Sequence, residues 1–353
     1  MNLNKLGWNV FFEKHFKALD QQGLIVGRIC SEYRNSYKLF SEYGELTAII
    51  SGKLRNNSND RENFPAVGDW VVFERVENEN KAIIQSILPR KNKFSRKIAG
   101  NTTQEQILAT NIDTVFIVSS LNYDFNPRRI ERYLTMVWNS KACPVIVLTK
   151  LDLCNNLDEI LYQVESVAFG TRIHVISSVL NQGIDILKQY LSTGNTVALV
   201  GSSGVGKSTL INKLIGEDII ATGELRKNID KGKHTTTTRQ LYLLPDNGLI
   251  IDTPGLRELQ LWDVDDGLSQ YFDDIENLAQ NCRYSNCKHD SEPECAVKEA
   301  VLQGLLDKNR YESYLKMKNE LEYLSKRQTQ KASQIEKEKW KNIHKQIKKI
   351  KKK

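Results

Sequence analysis

The sequence predicts a multidomain chain. A small N-terminal β-barrel is followed by a central α/β domain with a doubly wound, largely parallel sheet, and then by an α-helical module built round a metal. Three observations carry this reading. Between Gly23 and Leu88, five short β segments are parted by turns rich in Asn, Asp and Gly. Beyond them, apolar strands alternate with helical patterns, and one strand, Thr196–Val200, runs straight into G-S-S-G-V-G-K-S-T. Finally, Cys282, Cys287, His289 and Cys295 fall within fourteen residues. The expected domains are residues 1–95, 96–262 and 263–353.

A chain of 353 residues that is 40% hydrophobic can build two or three ordinary cores. No apolar run approaches the length of a bilayer span. Met1–Phe12 carries a single Lys and broken hydrophobicity, a poor signal peptide. A cytoplasmic protein without membrane contact is therefore expected, and in that setting clustered cysteines read as metal ligands and not as disulfides. The net charge of +7 is uneven: residues 308–353 hold 16 Lys and Arg against 5 Glu, leaving the rest slightly acidic. A concentrated basic tail usually meets polyanions.

The elements follow in order. Residues 1–20 place Trp8, Phe11, Phe12, Phe16 and Leu19 at roughly helical spacing, as in a helix docked on a neighbouring domain. The β segments are G-L-I-V-G-R-I-C, Y-K-L-F, L-T-A-I-I-S-G, F-P-A-V-G-D-W-V-V-F and K-A-I-I-Q-S-I-L. Five short strands suit a small closed barrel, with an OB-fold the best fit. Leu88–Gly100 reads as a basic linker. Strands are then expected at Thr114–Val118, Val145–Leu148, Ile173–Ile176, Thr196–Val200, Gln240–Leu244 and Leu249–Ile251. Helices are expected at Pro127–Asn139, Leu157–Phe169, Gly183–Tyr190 and Lys207–Leu214. Past Cys295, Tyr311, Leu315, Leu321 and Leu324 mark a helix with one apolar face. Trp340, Ile343, Ile347 and Ile350 then recur among lysines, a pattern that suits a membrane surface, a partner helix or RNA. RNA accords best with the rest of the chain.

The chemistry sits at strand ends. Gly201, Gly204 and Gly206 let the backbone turn tightly, so that N–H groups of Ser202, Ser203 and Val205 can face a polyphosphate. The helix beginning Lys207-Ser208-Thr209 adds its positive dipole end. Lys207 can reach the β- and γ-phosphates and Ser208 can ligate Mg²⁺. Asp252-Thr-Pro-Gly255 ends a later strand, where Asp252 would hold the Mg²⁺ shell and the Gly255 N–H would meet the γ-phosphate. Thr149-Lys150-Leu151-Asp152 follows P-V-I-V-L. The Asp152 carboxylate can accept both N1–H and the N2 amino group of guanine, while Lys150 lays its stem over the purine. Ser177 and Ser178, after R-I-H-V-I, supply a turn for guanine O6. The expected ligand is GTP with Mg²⁺.

The motif order is permuted. The guanine-reading motifs precede the phosphate loop, whereas ordinary GTPases place them after it. Ile215–Thr238 contains G-K-H-T-T-T-T-R, in which a threonine should close over Mg²⁺ and the γ-phosphate; Thr236 is chosen from four neighbours. Leu256 stands where Ras-like enzymes carry a water-orienting glutamine. A leucine cannot bind water, and His234 is the nearest candidate. The Cys282, Cys287, His289 and Cys295 set suits one closed, structural Zn²⁺ site.

These motifs, together with P-A-V-G-D-W-V and L-P-R-K-N-K-F-S-R-K-I-A-G, make the chain resemble the RsgA group of circularly permuted GTPases of small-ribosomal-subunit assembly. The resemblance covers nearly the whole chain. It implies an OB-fold, a GTPase domain and a zinc-finger domain. It also implies action on the late-maturing small subunit and its rRNA, hydrolysis stimulated by that subunit, and a catalytic histidine at the place of His234. A monomer off the ribosome is expected. The rival reading is an RNA-binding scaffold with GTP as a bound, little-hydrolysed ligand.

Overall fold

A computed structural model of the chain describes residues 1–19, 23–57, 61–76, 79–97, 105–218, 220, 239–253, 272–290, 292–308 and 310–319. It forms two compact units, Met1–Trp262 and Asp263–Lys353.

In the first unit, β1 (Ile25–Glu32), β2 (Tyr37–Ser41), β3 (Gly44–Ile50), β4 (Trp70–Arg75) and β5 (Lys81–Ile87) close a barrel. Pairing runs β1–β2–β3–β5–β4 and back to β1, with β3–β5 the one parallel pair. This is the expected OB-type five-stranded barrel. Alternation in Y-K-L-F-S sends Tyr37, Leu39 and Ser41 inward, and Leu39 joins Ile29, Leu46, Ala48, Val71, Phe73 and Ile84 in the core. Gly27 lies where the wall is tightest: a Cβ there would come within 2.8 Å of Leu39 Cδ1 and 2.9 Å of Phe73 Cε1.

The N-terminal helix α1 (Val10–Lys17) is capped by Asn9, whose Oδ1 accepts from Phe11 N at 3.0 Å. It buries Phe12, and Trp8 meets Trp70 edge-on at 4.7 Å. Arg28, 1% exposed, joins three segments by donating to the carbonyls of Leu6 (2.6 Å), Gly68 (3.2 Å) and Asn111 (3.0 Å). Burial pulls its pKa down to about 10, against the charges of Asp113 and Asp69. Arg28→Met removes all three donors from buried carbonyls, so about 3 kcal/mol of unfolding free energy should be lost, read as an earlier urea midpoint. An unchanged midpoint would show these bonds to be dispensable.

The α/β part holds β8 (Thr114–Ser120), β9 (Cys143–Thr149), β10 (Arg172–Val175), β11 (Thr196–Val200), β12 (Gln240–Leu243) and β13 (Leu249–Asp252). Their order is β10-β9-β8-β11-β13-β12, parallel except for β12. β12 also bridges to β1 at Gln240 and Ser31, so barrel and α/β strands share one sheet. Among the described residues the α/β helices are α3 (Pro127–Asn139), α4 (Leu157–Val167) and α5 (Lys207–Ile215), with a short helix α2 (Gly52–Asn57) in the barrel.

Two expectations change. Leu88–Gly100 is more than a linker: β6 (Lys93–Lys97) pairs antiparallel with β7 (Glu105–Thr110). Within it, Arg90 forms a bidentate pair with the buried Asp69 of G-D-W, at 2.8 and 2.7 Å. The expected helix Gly183–Tyr190 is instead a 3-10 segment, Asp185–Tyr190. Gly183 adopts φ 73°, which starts the chain outside helical geometry, and six residues then suffice to bury Leu187.

In the second unit, α6 (Asp273–Ala279) and α7 (Ala296–Leu302) flank the Cys/His segment, and residues 310–319 are helical. Phe272, Ile275, Val297, Ala300 and Tyr314 are buried there. Arg310 grips Asp274 with two bonds of 2.7 Å. No helix among the described residues is long and apolar enough to cross a membrane.

Candidate functional site

Strand β11 is wholly buried between β8 and β13, and its carboxyl end delivers Gly201 to the sheet edge where ligands of open α/β sheets bind. A Cβ on Gly201 would collide with the Val118 carbonyl, so no other residue fits. Gly204 and Gly206 adopt φ of 86° and 99°. Gly206 caps α5 without any side chain, leaving the first N–H groups of that helix for a ligand. Lys207 Nζ donates to the carbonyls of Gly201 and Ser202, both at 2.7 Å. Ser203 and Gly204 are exposed, while Ser208 and Thr209 are half-buried.

The neighbouring strand ends converge on this loop. Thr149, at the end of β9, is 2% exposed, and its hydroxyl donates to Val205 O at 2.5 Å. The first residue of T-K-L-D is thereby tied to the G-S-S-G-V-G-K-S loop. Lys150 takes the left-handed conformation, φ 62°, and Leu151 N donates to Ile176 O at 3.1 Å. Asp152 Oδ1 accepts from Ser177 Oγ at 2.5 Å, and Ser177 also exchanges backbone bonds with Gln182. Ser178 is nearly buried beside it. Asp252 ends β13, 6% exposed, opposite Leu199 of β11. Thr149, Lys150, Leu151, Asp152, Ser177, Ser178, the Gly201–Thr209 stretch and Asp252 thus meet on the carboxyl edge of one sheet. His234, Thr236, Gly255 and Leu256 lie outside the described residues.

Two side chains at the loop escaped sequence reasoning. Asp124, before α3, and Arg129, in its first turn, lie 2.9 Å apart, and both reach Ser202 Oγ at 2.9 Å. The available signal was N-P-R-R: two cations at a helix start, where the dipole disfavours them.

The second unit contains the metal-type cluster. The ligand atoms of Cys282, Cys287, His289 and Cys295 all lie within 4.8 Å of one another. Tetrahedral zinc sets sulfur ligands about 3.8 Å apart, and sulfur and nitrogen about 3.6 Å. Cys282 Sγ is 3.8 Å from Cys295 Sγ and 3.6 Å from His289 Nδ1, and Cys295 Sγ is 3.5 Å from that nitrogen. The donor set fits Zn²⁺. Burial pushes the Cys282 thiol up, but N–H groups of Val297 and Ala296 at the start of α7, with the thiols of Cys295 and Cys287, bring it below its ordinary value, whereas burial pushes Cys295 up to about 11. Burial, with the Lys318 charge, lowers His289 and keeps its imidazole neutral, as a ligand must be. Tyr311 OH donates to His289 O, and the Glu292 carboxylate accepts from Lys288 N and Asp290 N at 3.0 and 3.1 Å, fixing the knuckle.

Fold and loop define the class. This is a P-loop GTPase domain in circularly permuted order, because β9 and β10, whose ends carry Thr149–Asp152 and Ser177–Ser178, precede β11 and its phosphate loop in the chain. The family described as RsgA GTPase matches residues 87–262. The family described as 50S ribosome-binding GTPase matches 196–351, starting at the first residue of β11. The small ribosomal subunit biogenesis GTPase RsgA 1 of Oceanobacillus iheyensis is 43% identical over 350 residues, covering 99% of each chain. RsgA 2 of Lactiplantibacillus plantarum is 46% identical over 94% of each. Among solved structures, YjeQ from Thermotoga maritima is 29% identical with a TM-score of 0.64, covering 84% of this chain and 98% of that one. YloQ, described as a circularly permuted GTPase, shares the fold at 24% identity and a TM-score of 0.60, over 86% and 96% of the two chains. The chain belongs to the RsgA GTPase family.

Proposed function

We propose that the chain hydrolyses GTP in late maturation of the small ribosomal subunit, binding its rRNA and cycling on and off the particle with nucleotide state. Family membership and the names of the full-length relatives support this reading. The observation that carries it is the Thr149–Val205 bond, which holds the guanine motif against the phosphate loop. Asp152, steadied by Ser177, reads guanine, and Lys150 covers its face. The N–H groups of Gly201–Gly206 and of the start of α5 receive the phosphates, and Lys207 leaves its two carbonyls for the β- and γ-oxygens. Mg²⁺, for which Ser208, Asp252 and Thr236 are the expected ligands, would neutralise charge developing on those oxygens. The Gly255 N–H meets the γ-phosphate, and His234 orients the attacking water in place of the glutamine that Leu256 replaces. A monomer in the cytoplasm is the working form off the ribosome, with residues 1–95, 96–262 and 263–353 as its domains.

Phosphate release from GTP and ATP, with and without purified small subunits, tests this. GTP alone should be turned over, slowly in the free enzyme and at least tenfold faster with subunits. Leu256 favours a second reading, a scaffold that holds GTP without hydrolysing it; subunit binding with no phosphate release would select that one.

One structural Zn²⁺ per chain is proposed for the Cys/His cluster, with no open position for catalysis. Metal analysis of protein purified without chelator should find one zinc. Replacing Cys282 and Cys295 together by Ser should abolish it and unfold the second unit. GTP affinity should stay within twofold, since all four ligands lie in residues 282–295. Zinc-free wild-type protein would refute the assignment.

A further inference from the structure

Helix α3 opens Pro127-Arg128-Arg129 behind the Asn126 cap, with no acidic residue in its first turn. Cations at a helix N-terminus oppose the dipole, and a broken local rule of this kind marks a place where another requirement prevails. Arg128 is answered within the helix, by Glu131 at 3.1 Å. Arg129 turns away from the helix. Its Nη1 lies 2.9 Å from Asp124 Oδ2 and 2.9 Å from Ser202 Oγ, and Ser202 Oγ donates to the same Asp124 oxygen at 2.9 Å. The three groups close a triangle on the phosphate loop. Arg129 and Asp124 are about one-third exposed, at 34% and 35%. An ion pair so placed is ordinarily worth little, so its consequence lies in the third member.

Ser202 is held twice. Its hydroxyl belongs to the triangle, and its carbonyl accepts from Lys207 Nζ at 2.7 Å, as does that of Gly201. A lysine that moves to phosphate oxygens gives up both carbonyls, and the hydroxyl hold then remains. We propose that Arg129, fixed by Asp124, is a positioning residue of the phosphate loop: through Ser202 Oγ it keeps the Gly201–Gly206 peptide groups aimed at the phosphates of a guanine nucleotide. The proposal rests on the GTP-binding reading and extends it to two residues outside the G-x-x-x-x-G-K-S signature. Preorganisation of this kind lowers the ordering cost of binding without adding a contact to the ligand. Burial alone would raise Asp124. The bonds from Arg129 and Ser202, with the charges of Arg129 and Lys150, hold it below its ordinary value, so the clamp stays ionised at neutral pH.

The test is a double-mutant cycle on the full chain, with affinity for fluorescent GDP and GTP analogues and melting temperature as readouts. Arg129→Gln should weaken both nucleotides about five- to tenfold with the melting temperature unchanged within about 2 °C. Arg129→Lys, which restores a cationic donor for Asp124 and Ser202 where glutamine offers only a neutral one, should recover most of the affinity. Ser202→Ala should cost about as much as Arg129→Gln, and the double variant no more than either alone, because both remove one connection. Multiplying effects, or no rescue by lysine, would overturn the positioning role. So would unchanged affinity in Arg129→Gln, while wild-type preference for GTP left the proposed function standing. A wild-type chain that bound no guanine nucleotide would overturn both.

Discussion

Asp152→Asn should lower affinity for GTP about a hundredfold and raise affinity for xanthosine triphosphate. In the expected complex one carboxylate accepts two guanine hydrogens, N1–H and an N2 hydrogen. Hydrogen bonds to charged groups contribute about 1.5–3 kcal/mol each. An asparagine keeps one acceptor but turns a donor towards the N2 amino group, so a bond is lost and two donors face each other. Xanthine carries a carbonyl at that place and meets the new amide. The variant should fold normally, because Asp152 is exposed and the amide can still accept from Ser177 Oγ. Competition between the two triphosphates on wild type and variant reads the switch directly. A variant that kept the wild-type ratio would remove Asp152 as the guanine reader, and Ser177 would then be no more than its neighbour in a turn.

The barrel was legible because its strands are short, alternating and bounded by turn residues, so that Tyr37, Leu39 and Ser41 point inward as their spacing requires. The permuted order was legible too, since the motifs sit at strand ends whatever their sequence in the chain. The pairing of β6 and β7 was not. K-F-S-R-K carries one apolar side chain, Phe94, and reads as a solvated charge run until Lys93 is seen beside Glu105 at 2.6 Å. The 3-10 segment Asp185–Tyr190 reads as a helix because Ile184, Leu187 and Leu191 recur at spacings of three and four residues, which a surface 3-10 stretch burying one side also satisfies. At the candidate site, the glycines announce the loop because their φ values exclude most other residues. The side chains that brace the loop leave only the N-P-R-R helix start as a sign, and it does not say what Arg129 reaches. Arg129 and Ser202 are 73 residues apart, and no local pattern connects them. Arg28 is invisible for the same reason: its three carbonyl partners come from three segments, and only the packed structure shows that one guanidinium joins them.

Lys207→Ala should cut kcat/KM for GTP about a thousandfold with the fold intact. In the free protein the ammonium bridges the carbonyls of Gly201 and Ser202, each at 2.7 Å. That arrangement stores a positive charge at the loop's mouth, close to where phosphates enter. The bonds it gives up on binding are replaced by bonds to charged oxygens, which are roughly twice as strong as neutral ones. The gain should grow as negative charge accumulates on the β–γ bridge during phosphoryl transfer, and removing one preorganised donor from such a site typically costs about 10²–10³ in rate. Stability should hardly change. Alanine is the best helix former for the first turn of α5, and Gly201 and Ser202 keep the rest of their loop contacts, among them the Ser202–Asp124 bond. A split between ligands is expected as well: GTP binding should suffer more than GDP binding, because only GTP presents the γ-oxygens. Single-turnover hydrolysis and equilibrium binding of both nucleotides check this. Equal losses for GTP and GDP would place Lys207 on the β-phosphate alone, and wild-type turnover in the alanine variant would remove the phosphate-loop assignment itself.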